Sequence, residues 1–298
     1  MRLLSAALIA AAVAAAAACG SPESSAASGG APTDAAAGLA LAPALPDSAR
    51  ATAASTPEVR LELVVIAAYP HDPRAFTQGL LWHRGKLYES TGMYGTSSLR
   101  EVEPATGRVL RRLDLDAQEF AEGLALAGDR LFQLTYQSES GWVWDLETFT
   151  RVREFSFRGE GWGLTFDGTS LVQSDGSARL TFRSPDDFST QRELLVVRGG
   201  KPQFYLNELE WVNGEIWANV WQSDEILRID PRTGQVTGSV DASQLLSPDE
   251  RRRADVLNGI AWDAERGLFL ITGKYWPRLF AVTIRPPVAP VPPAVPDG

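Results

Sequence analysis

The sequence predicts an all-β fold, a five-bladed β-propeller closed by an N-terminal strand that joins the last blade. The first observation behind this prediction is a repeat, because five similar segments follow one another at intervals of about 40–50 residues, as propeller blades do. These segments are 76–82, 120–126, 161–166, 206–211 and 257–262. The second observation is that short strand-like runs with turn residues between them fill each interval, as in a blade.

Each repeat carries a polar or aromatic side chain directly before the residue at which the repeats align. These five side chains belong to Gln78, Glu122, Trp162, Asn207 and Asn258. The innermost strand of each blade begins here, so side chains in one register should ring the mouth of a central channel. The sequence therefore predicts a site at this mouth.

The N-terminal end of the chain is predicted to lie outside the fold. Residues 1–18 combine an early Arg2 with an apolar run from Leu3 to Ala18, which is typical of a signal peptide. Small residues lead directly into Cys19, the only cysteine, and this resembles a bacterial lipoprotein signal in which that cysteine is lipidated. Ordinary cleavage with an incidental Cys19 is the alternative. We expect an exported, periplasmic protein, anchored to a membrane only through a lipid on Cys19.

The propeller domain is predicted at residues 58–285. Residues 19–57 are rich in Ala, Ser, Gly and Pro and bury too little apolar surface to fold, so they are predicted to be a flexible linker. Residues 286–298 alternate Pro with Val and Ala and are predicted to be an extended Pro-rich tail. A net charge of −9 argues against a nucleic-acid partner, which needs a concentrated positive patch.

The strands of the first four blades follow from apolar runs bounded by turn residues. In blade one they are 79–83, 86–90, 98–103 and 108–114, and in blade two 123–126, 130–135, 141–145 and 151–157. In blade three they are 163–166, 170–174, 178–184 and 191–197, and in blade four 209–212, 215–220, 225–230 and 235–240. Asn213-Gly214, between the first two strands of blade four, is a strong hairpin signal.

Blade five has only three predicted strands, at 260–263, 268–272 and 278–284. The alternating segment 59–66 is the natural fourth strand, since joining both chain ends in one blade would leave no open sheet edge. The insert before blade five contains Ser247-Pro248-Asp249-Glu250, which predicts a short helix with Ser as its N-cap and Pro in its first turn.

Several short motifs occur in order along residues 69–284. They are Phe-Thr-Gln-Gly-Leu at 76–80, Phe-Ala-Glu-Gly-Leu at 120–124, Glu-Gly-Trp-Gly-Leu at 160–164, Ser-Asp-Gly-Ser at 174–177, Asn-Glu-Leu-Glu at 207–210, Trp-Ala-Asn-Val-Trp at 217–221, Leu-Asn-Gly-Ile-Ala-Trp at 257–262 and Thr-Gly-Lys-Tyr-Trp at 272–276. Together they resemble the plant and bacterial type of glutaminyl-peptide cyclotransferase. The resemblance implies a five-bladed propeller that converts the N-terminal glutamine of a peptide or protein into pyroglutamate and releases ammonia.

The resemblance also implies roles for individual residues. Glu122 matches the carboxylate that serves as acid and base, and Gln78, Asn207 and Lys274 match its catalytic companions. The aromatic substrate-binding positions fall on Phe76, Phe120, Tyr136, Trp162 and Trp221. Asn258 is also expected to bind substrate, because it belongs to the ring of side chains at the mouth. Tyr136 is a departure, because the family often has Trp there. No cofactor is expected, although members of the family can hold a structural cation in the channel. With only His71 and His83 in the chain, a catalytic zinc site of the usual kind is not expected.

The residues at the mouth suit this chemistry without the resemblance. The α-amine of an N-terminal glutamine must attack its own side-chain amide, so the enzyme gains by fixing the folded rotamer and moving protons. One carboxylate such as Glu122 can take the proton of the amine and return it to the leaving group. Desolvation by aromatic walls would raise the pKa of Glu122, while Lys274 would oppose this.

Other readings of these residues remain open. The domain could be a non-catalytic periplasmic propeller that serves as a binding platform, and Trp162, Trp221 and Lys274 could then be structural. A metal-dependent propeller of the lactonase kind is disfavoured, because it should show six repeats rather than five. Glu208 and Glu210 are expected to form hydrogen bonds between blades, and the protein is expected to be a monomer.

Overall fold

The computed structural model describes residues 57–287. The predicted signal peptide at 1–18, the lipidation site at Cys19, nearly all of the predicted linker and most of the predicted tail lie outside these residues. Within 57–287, no helix is long and apolar enough to cross a membrane.

Three four-stranded antiparallel sheets follow one another along the chain. The first contains β2 (Thr77–His83), β3 (Lys86–Thr91), β4 (Ser98–Glu103) and β5 (Arg108–Asp114). The second contains β6 (Ala121–Ala127), β7 (Arg130–Thr135), β8 (Ser140–Asp145) and β9 (Arg151–Ser156). The third contains β10 (Leu164–Phe166), β11 (Leu171–Gln173), β12 (Arg179–Arg183) and β13 (Thr190–Leu195). Each sheet keeps its strands in chain order, as predicted for blades one to three.

The remaining long strands form one eight-stranded sheet, with β1 in its middle. Its members are β1 (Val59–Pro70), β16 (Leu206–Val212), β17 (Glu215–Val220), β18 (Glu225–Ile229), β19 (Val236–Asp241), β20 (Leu257–Asp263), β21 (Leu268–Gly273) and β22 (Arg278–Arg285). The strand β1 pairs antiparallel with β22, from Glu62 opposite Arg285 to Pro70 opposite Arg278. Its first residues also pair in parallel with β19, with Val59 opposite Gly238. The N-terminal strand is therefore paired on both sides.

The first strands of the successive four-stranded units contact one another. The strand β2 contacts β6 and β20, β6 contacts β10, and β16 contacts β10 and β20. The backbones of these first strands approach so closely that a side chain at the glycine positions would not fit between them. A Cβ atom on Gly123 would lie 2.5 Å from the Leu164 nitrogen, and one on Gly163 would overlap the Asn207 carbonyl oxygen. Gly79, Gly123 and Gly163, three of the residues at which the repeats align, are thus required by packing between neighbouring units.

The hydrophobic core lies between adjacent units rather than within one of them. Leu81 of β2 and Leu124 of β6 share a cluster with Trp142 and Trp144 of β8. Leu61 of β1 packs into the cluster that joins β17–β19 to β20–β22. Most of the stabilising apolar surface is therefore buried at the junctions between units.

The predicted turns and the helix signal are confirmed. Asn213 and Gly214 both have positive φ, 52° and 85°, as a two-residue type I′ hairpin requires. Ser247 caps α1 (Pro248–Arg251) through a capping box with Glu250. One element was not predicted, a small hairpin of β14 (Val197–Arg198) and β15 (Lys201–Pro202). Its strands are too short to produce a periodic pattern.

Candidate active site

The polar side chains at the mouth lie where the first strands of the units depart from regular pairing. The register shifts between Thr77 and Gly79 in β2, and between Ala121 and Leu124 in β6. The same irregularity occurs at the start of β16 and of β20. Such bulges re-aim side chains and are common next to active sites. They place Gln78, Glu122, Asn207 and Asn258 in irregular backbone at one end of these strands.

Glu122 is the central acid of this group. Its side chain is buried, and its Oε1 accepts a hydrogen bond of 2.7 Å from Nε2 of Gln78. Burial raises the pKa of Glu122 well above its usual value, Lys274 opposes this, and Glu160 adds to it. Among the described residues no other hydrogen bond reaches the Glu122 carboxyl group, so Oε2 has no protein partner.

Asn258 lies behind Gln78 rather than at the surface of the pocket. It is fully buried, and its Nδ2 is 3.0 Å from the Thr77 carbonyl oxygen and 3.3 Å from Oε1 of Gln78. Asn258 was predicted to bind substrate. Its Nδ2 orients the amide that faces Glu122, while its Oδ1 is buried and has no partner among the described residues. The register of β20 shifts at this residue.

Lys274 follows β21 directly and points into the same region. Its Nζ lies 4.6 Å from the centre of the Phe76 ring, a cation–π arrangement. Burial lowers the pKa of Lys274, while the charges of Glu122 and Asp255 act in the opposite direction. A buried ammonium and a buried carboxyl group thus lie within electrostatic reach of each other.

Aromatic rings form the walls. The rings of Phe76 and Phe120 meet edge to face at 6.0 Å, and Phe120 lies 5.6 Å from Tyr136. The rings of Trp162 and Trp221 meet edge to face at 5.8 Å. All five predicted aromatic positions therefore pack in ring contacts. Phe76, Phe120 and Trp162 lie before the first strands β2, β6 and β10, and Tyr136 and Trp221 follow the second strands β7 and β17.

Asn207 is held through its backbone. Its carbonyl oxygen accepts a hydrogen bond of 2.7 Å from the Ser174 hydroxyl, and Ser174 Oγ accepts one of 2.7 Å from the Gly163 nitrogen. Within residues 57–287, the side-chain amide of Asn207 donates to no other residue. A buried amide without a protein partner is available to a ligand.

Glu160 is a candidate that the sequence analysis did not single out. Its carboxylate accepts hydrogen bonds of 3.0 Å from Nε1 of Trp162 and from Nε2 of Gln137. Burial first, and then the charges of Glu160 and Glu122, raise the pKa of the Tyr136 hydroxyl. The signal was present in the sequence, because Glu160 precedes Gly161-Trp162 in one of the motifs.

Two further carboxyl groups, those of the buried Glu208 and the partly buried Glu210, have structural partners. Glu208 accepts hydrogen bonds from the Leu80 nitrogen at 3.3 Å and the Ile260 nitrogen at 2.8 Å, which ties β16 to β2 and β20. Glu210 accepts one of 2.8 Å from the Trp262 nitrogen. The expectation that Glu208 and Glu210 connect blades is confirmed.

Burial changes the acidity of both carboxyl groups. Burial raises the pKa of Glu208 well above its usual value and that of Glu210 to about 8. Both oxygens of Glu208 already accept backbone N–H groups. In the part of the chain that the structure describes, no three His, Cys, Asp or Glu side chains are grouped as metal ligands would be.

Comparisons with known proteins agree on one family. Residues 37–284 match the sequence profile described as glutamine cyclotransferase. The chain is 43% identical over 229 residues to a glutaminyl-peptide cyclotransferase of Arabidopsis thaliana. The matched region covers 75% of this chain and 72% of the relative. It also resembles the crystal structure of Myxococcus xanthus glutaminyl cyclase, with 40% identity and a TM-score of 0.70, over 78% of this chain and all of that one.

Proposed function

The chain belongs to the glutamine cyclotransferase family, and we propose that its mouth pocket is the site of the reaction, with Glu122 as the proton carrier. The protein is a glutaminyl-peptide cyclotransferase, an acyltransferase that acts on peptides and proteins with N-terminal glutamine. The observation that supports the assignment to Glu122 is its buried carboxyl group, which has one oxygen held by Gln78 and the other free of protein partners.

The reaction forms one C–N bond and breaks another. The neutral α-amine of the substrate attacks the carbon of its own side-chain amide, and a proton passes from the amine to Glu122. A tetrahedral intermediate results, with negative charge on the former amide oxygen. As it collapses, the bond to the side-chain nitrogen breaks, Glu122 returns the proton to that nitrogen, and ammonia leaves with pyroglutamate as the other product.

The environment of Glu122 suits both halves of this cycle. A carboxyl group of raised pKa is a stronger base than an exposed one and still gives up its proton readily. The substrate amine has an ordinary pKa of about 7.7–8.0, so a neutral fraction exists near neutral pH. Since Gln78 occupies Oε1, the exchanging proton travels on Oε2.

The neighbouring groups bind the substrate and stabilise the tetrahedral intermediate. We assign the oxyanion to Lys274 and to the free side-chain amide of Asn207, because both are buried donors at the mouth. Phe76, Phe120, Tyr136, Trp162 and Trp221 enclose the folded glutamine side chain and exclude water. Asn258 acts through Gln78 and is a positioning residue in this proposal.

We propose that the all-β, propeller-like fold has five blades. Three are the four-stranded sheets, and the eight-stranded sheet supplies two more, with β1 as the outer strand of the fifth. The contacts among β2, β6, β10, β16 and β20 support a closed ring of first strands. In this arrangement the N-terminal strand closes the propeller and the protein acts as a monomer.

We further propose that no cofactor is needed. The test is ammonia release from a peptide beginning with Gln, measured with and without a chelator, beside the same peptide beginning with Asn. Release from the Gln peptide alone, unchanged by the chelator, is expected. A protein that binds Gln peptides without releasing ammonia would instead be a binding platform.

Export and anchoring are separate proposals. The apolar run from Leu3 to Ala18 and the small residues before Cys19 support a signal peptide followed by lipidation in the periplasm. Substituting Cys19→Ser should then move the protein from the membrane fraction to the soluble fraction. If wild type and Cys19→Ser are found in the same fraction, the proposal of a lipid anchor on Cys19 is wrong.

A further inference from the structure

The pocket continues outward along a row of aromatic residues. The Trp162 ring meets that of Trp221 at 5.8 Å, and Trp221 meets Tyr205 at 5.8 Å. Exposure increases along this row, from the buried Trp162 to Tyr205, which is 48% exposed, and its neighbour Phe204, which is 53% exposed. Large exposed apolar groups that continue a pocket are typical of ligand contact. We call these four residues the aromatic row.

The backbone at the outer end of the row is fixed and strained. Tyr205 has φ of 65°, a left-handed conformation that a bulky residue rarely adopts. Its N–H donates to the Gly176 carbonyl at 2.8 Å, and its carbonyl accepts from the Trp221 N–H at 2.8 Å. The loop is thus attached to two neighbouring hairpins, and the backbone that carries the exposed ring is held in place before any ligand binds. Strain of this kind marks ligand sites.

We propose that Tyr205 and Phe204 form a subsite for an aromatic or other large apolar side chain at the third or fourth residue of the substrate. This proposal rests on the proposed function. Two successive ring separations of 5.8 Å lie between Trp162 and Tyr205. An extended peptide advances about 3.3–3.6 Å per residue, so a chain whose N-terminal glutamine lies against Trp162 reaches Tyr205 two to three residues later.

Another exposed aromatic residue lies beside Phe120. Tyr94 is also exposed, and its ring meets Phe120 at 5.3 Å. Burial and then the carboxylates of Glu119, Glu122 and Glu160 raise the pKa of the Tyr94 hydroxyl. Of these three acids, Glu160 also contacts Trp162. Tyr205 and Phe204 are the exposed aromatic residues at the outer end of the aromatic row, where an apolar side chain fits.

The test compares peptide amides of the form Gln-Gly-Gly-Gly, with one Phe at position two, three or four. The ratio of kcat/KM between each Phe peptide and the all-Gly peptide is measured by ammonia release. We expect the largest ratio, about two- to tenfold, at position three or four, as one aromatic contact provides. Tyr205→Gly should bring this ratio toward one, because Gly adopts the same φ without strain. Tyr205→Phe should preserve the ratio.

Matched variants separate the subsite from general effects. Phe204→Ala should lower the ratio even if Tyr205→Gly does not fold. Val152→Ala removes an apolar side chain that is 49% exposed on β9 and should leave the ratio unchanged, as should Tyr94→Ala. The proposal is overturned if wild type shows no preference, if Tyr205→Gly retains the full ratio, or if Tyr94→Ala removes it.

Failure of the proposed function would be recognised separately, because then no peptide would release ammonia in any variant. Binding of fluorescently labelled Phe and all-Gly peptides would still test the subsite in that case. A several-fold weaker Kd for the Phe peptide with Tyr205→Gly than with wild type supports it, and equal Kd values contradict it.

Discussion

The orientation of one amide decides which oxygen of Glu122 is free to react. Gln78 donates from Nε2 to Glu122, while its Oε1 faces Nδ2 of Asn258. A flipped Gln78 would place its oxygen against the carboxyl group and its NH2 against the NH2 of Asn258. Asn258 therefore fixes the orientation of Gln78, and through it the free Oε2 of Glu122.

Replacing Asn258 with Ala should lower kcat by about tenfold with little change in KM. The reason is the loss of one buried hydrogen bond, worth about 1–1.5 kcal/mol, which corresponds to about one factor of ten in rate. Steady-state kinetics with a Gln peptide measures this. Because Asn258 acts through Gln78, the double variant with Gln78→Ala should be no slower than Gln78→Ala alone. Additive losses would contradict this role.

His71 is a second residue whose state follows from its contacts. Its Nδ1 lies 2.7 Å from the Trp276 carbonyl oxygen, and its Nε2 lies 3.0 Å from Oε1 of Glu89. Both partners are acceptors, so only the imidazolium satisfies both. Glu89 also accepts a hydrogen bond of 2.7 Å from the Thr77 hydroxyl, next to Gln78. The charged ring thus links the segment before β2 to the loop that carries Lys274.

The two histidines of the chain should titrate on opposite sides of the usual value of about 6.5. Burial opposes the charge on His71, but Glu89, the Trp276 carbonyl and Asp72 outweigh it and raise its pKa, with Arg100 also facing Glu89. Burial and Arg84 lower the pKa of His83. A folded pKa above the unfolded one means that His71 stabilises the fold fully below about pH 6.5. This stabilisation is lost as pH rises through the folded pKa.

NMR of the two imidazole rings measures both pKa values in the intact protein, and His83→Gln assigns the signals. A His71 ring that is neutral at pH 6 would contradict the imidazolium. The melting temperature of His71→Gln should then differ most from that of wild type at acidic pH and least at alkaline pH.

Among the elements, the N-terminal strand joins two of the four-stranded units. The strand β1 pairs with β22 and β19, and its inward Leu61 packs among residues of both neighbouring units. Its sequence predicted the strand through alternation and through the shortage of strands in the last unit. The extension to Pro70 was missed because Ala67 and Ala68 interrupt the alternation, at a shift in register.

Two substitutions on β1 should differ strongly in their effect on stability. Leu61→Ala should lower the free energy of unfolding by about 2–4 kcal/mol, because Leu61 is 6% exposed and its loss leaves a cavity. Ile66→Ala on the same strand should change it by less than about 0.5 kcal/mol, because Ile66 is 57% exposed. Chemical denaturation measures both. Equal effects would show that β1 does not seal the junction between the units.

At the scale of the whole molecule, the repeat explains how much of the fold could be predicted. Most strands were located because turn residues bound them, and the aligned glycines marked the contacts between first strands. The roles of Asn258 and Glu160 were not predictable in this way. Whether a side chain faces the pocket or a neighbouring amide depends on bulges and on contacts between units that are far apart in sequence. The periodicity of the sequence carries no information about the bulges or about these distant contacts.

The central claim is that one buried carboxyl group at the mouth carries the proton between two nitrogens. Ammonia release by Glu122→Gln, compared with wild type and with the exposed variant Glu154→Gln, tests it most directly. We predict that Glu122→Gln folds normally and loses about 100- to 10,000-fold in kcat, the usual contribution of general acid–base catalysis, while Glu154→Gln keeps full activity. A folded Glu122→Gln protein that turns over a Gln peptide at the wild-type rate would contradict the account.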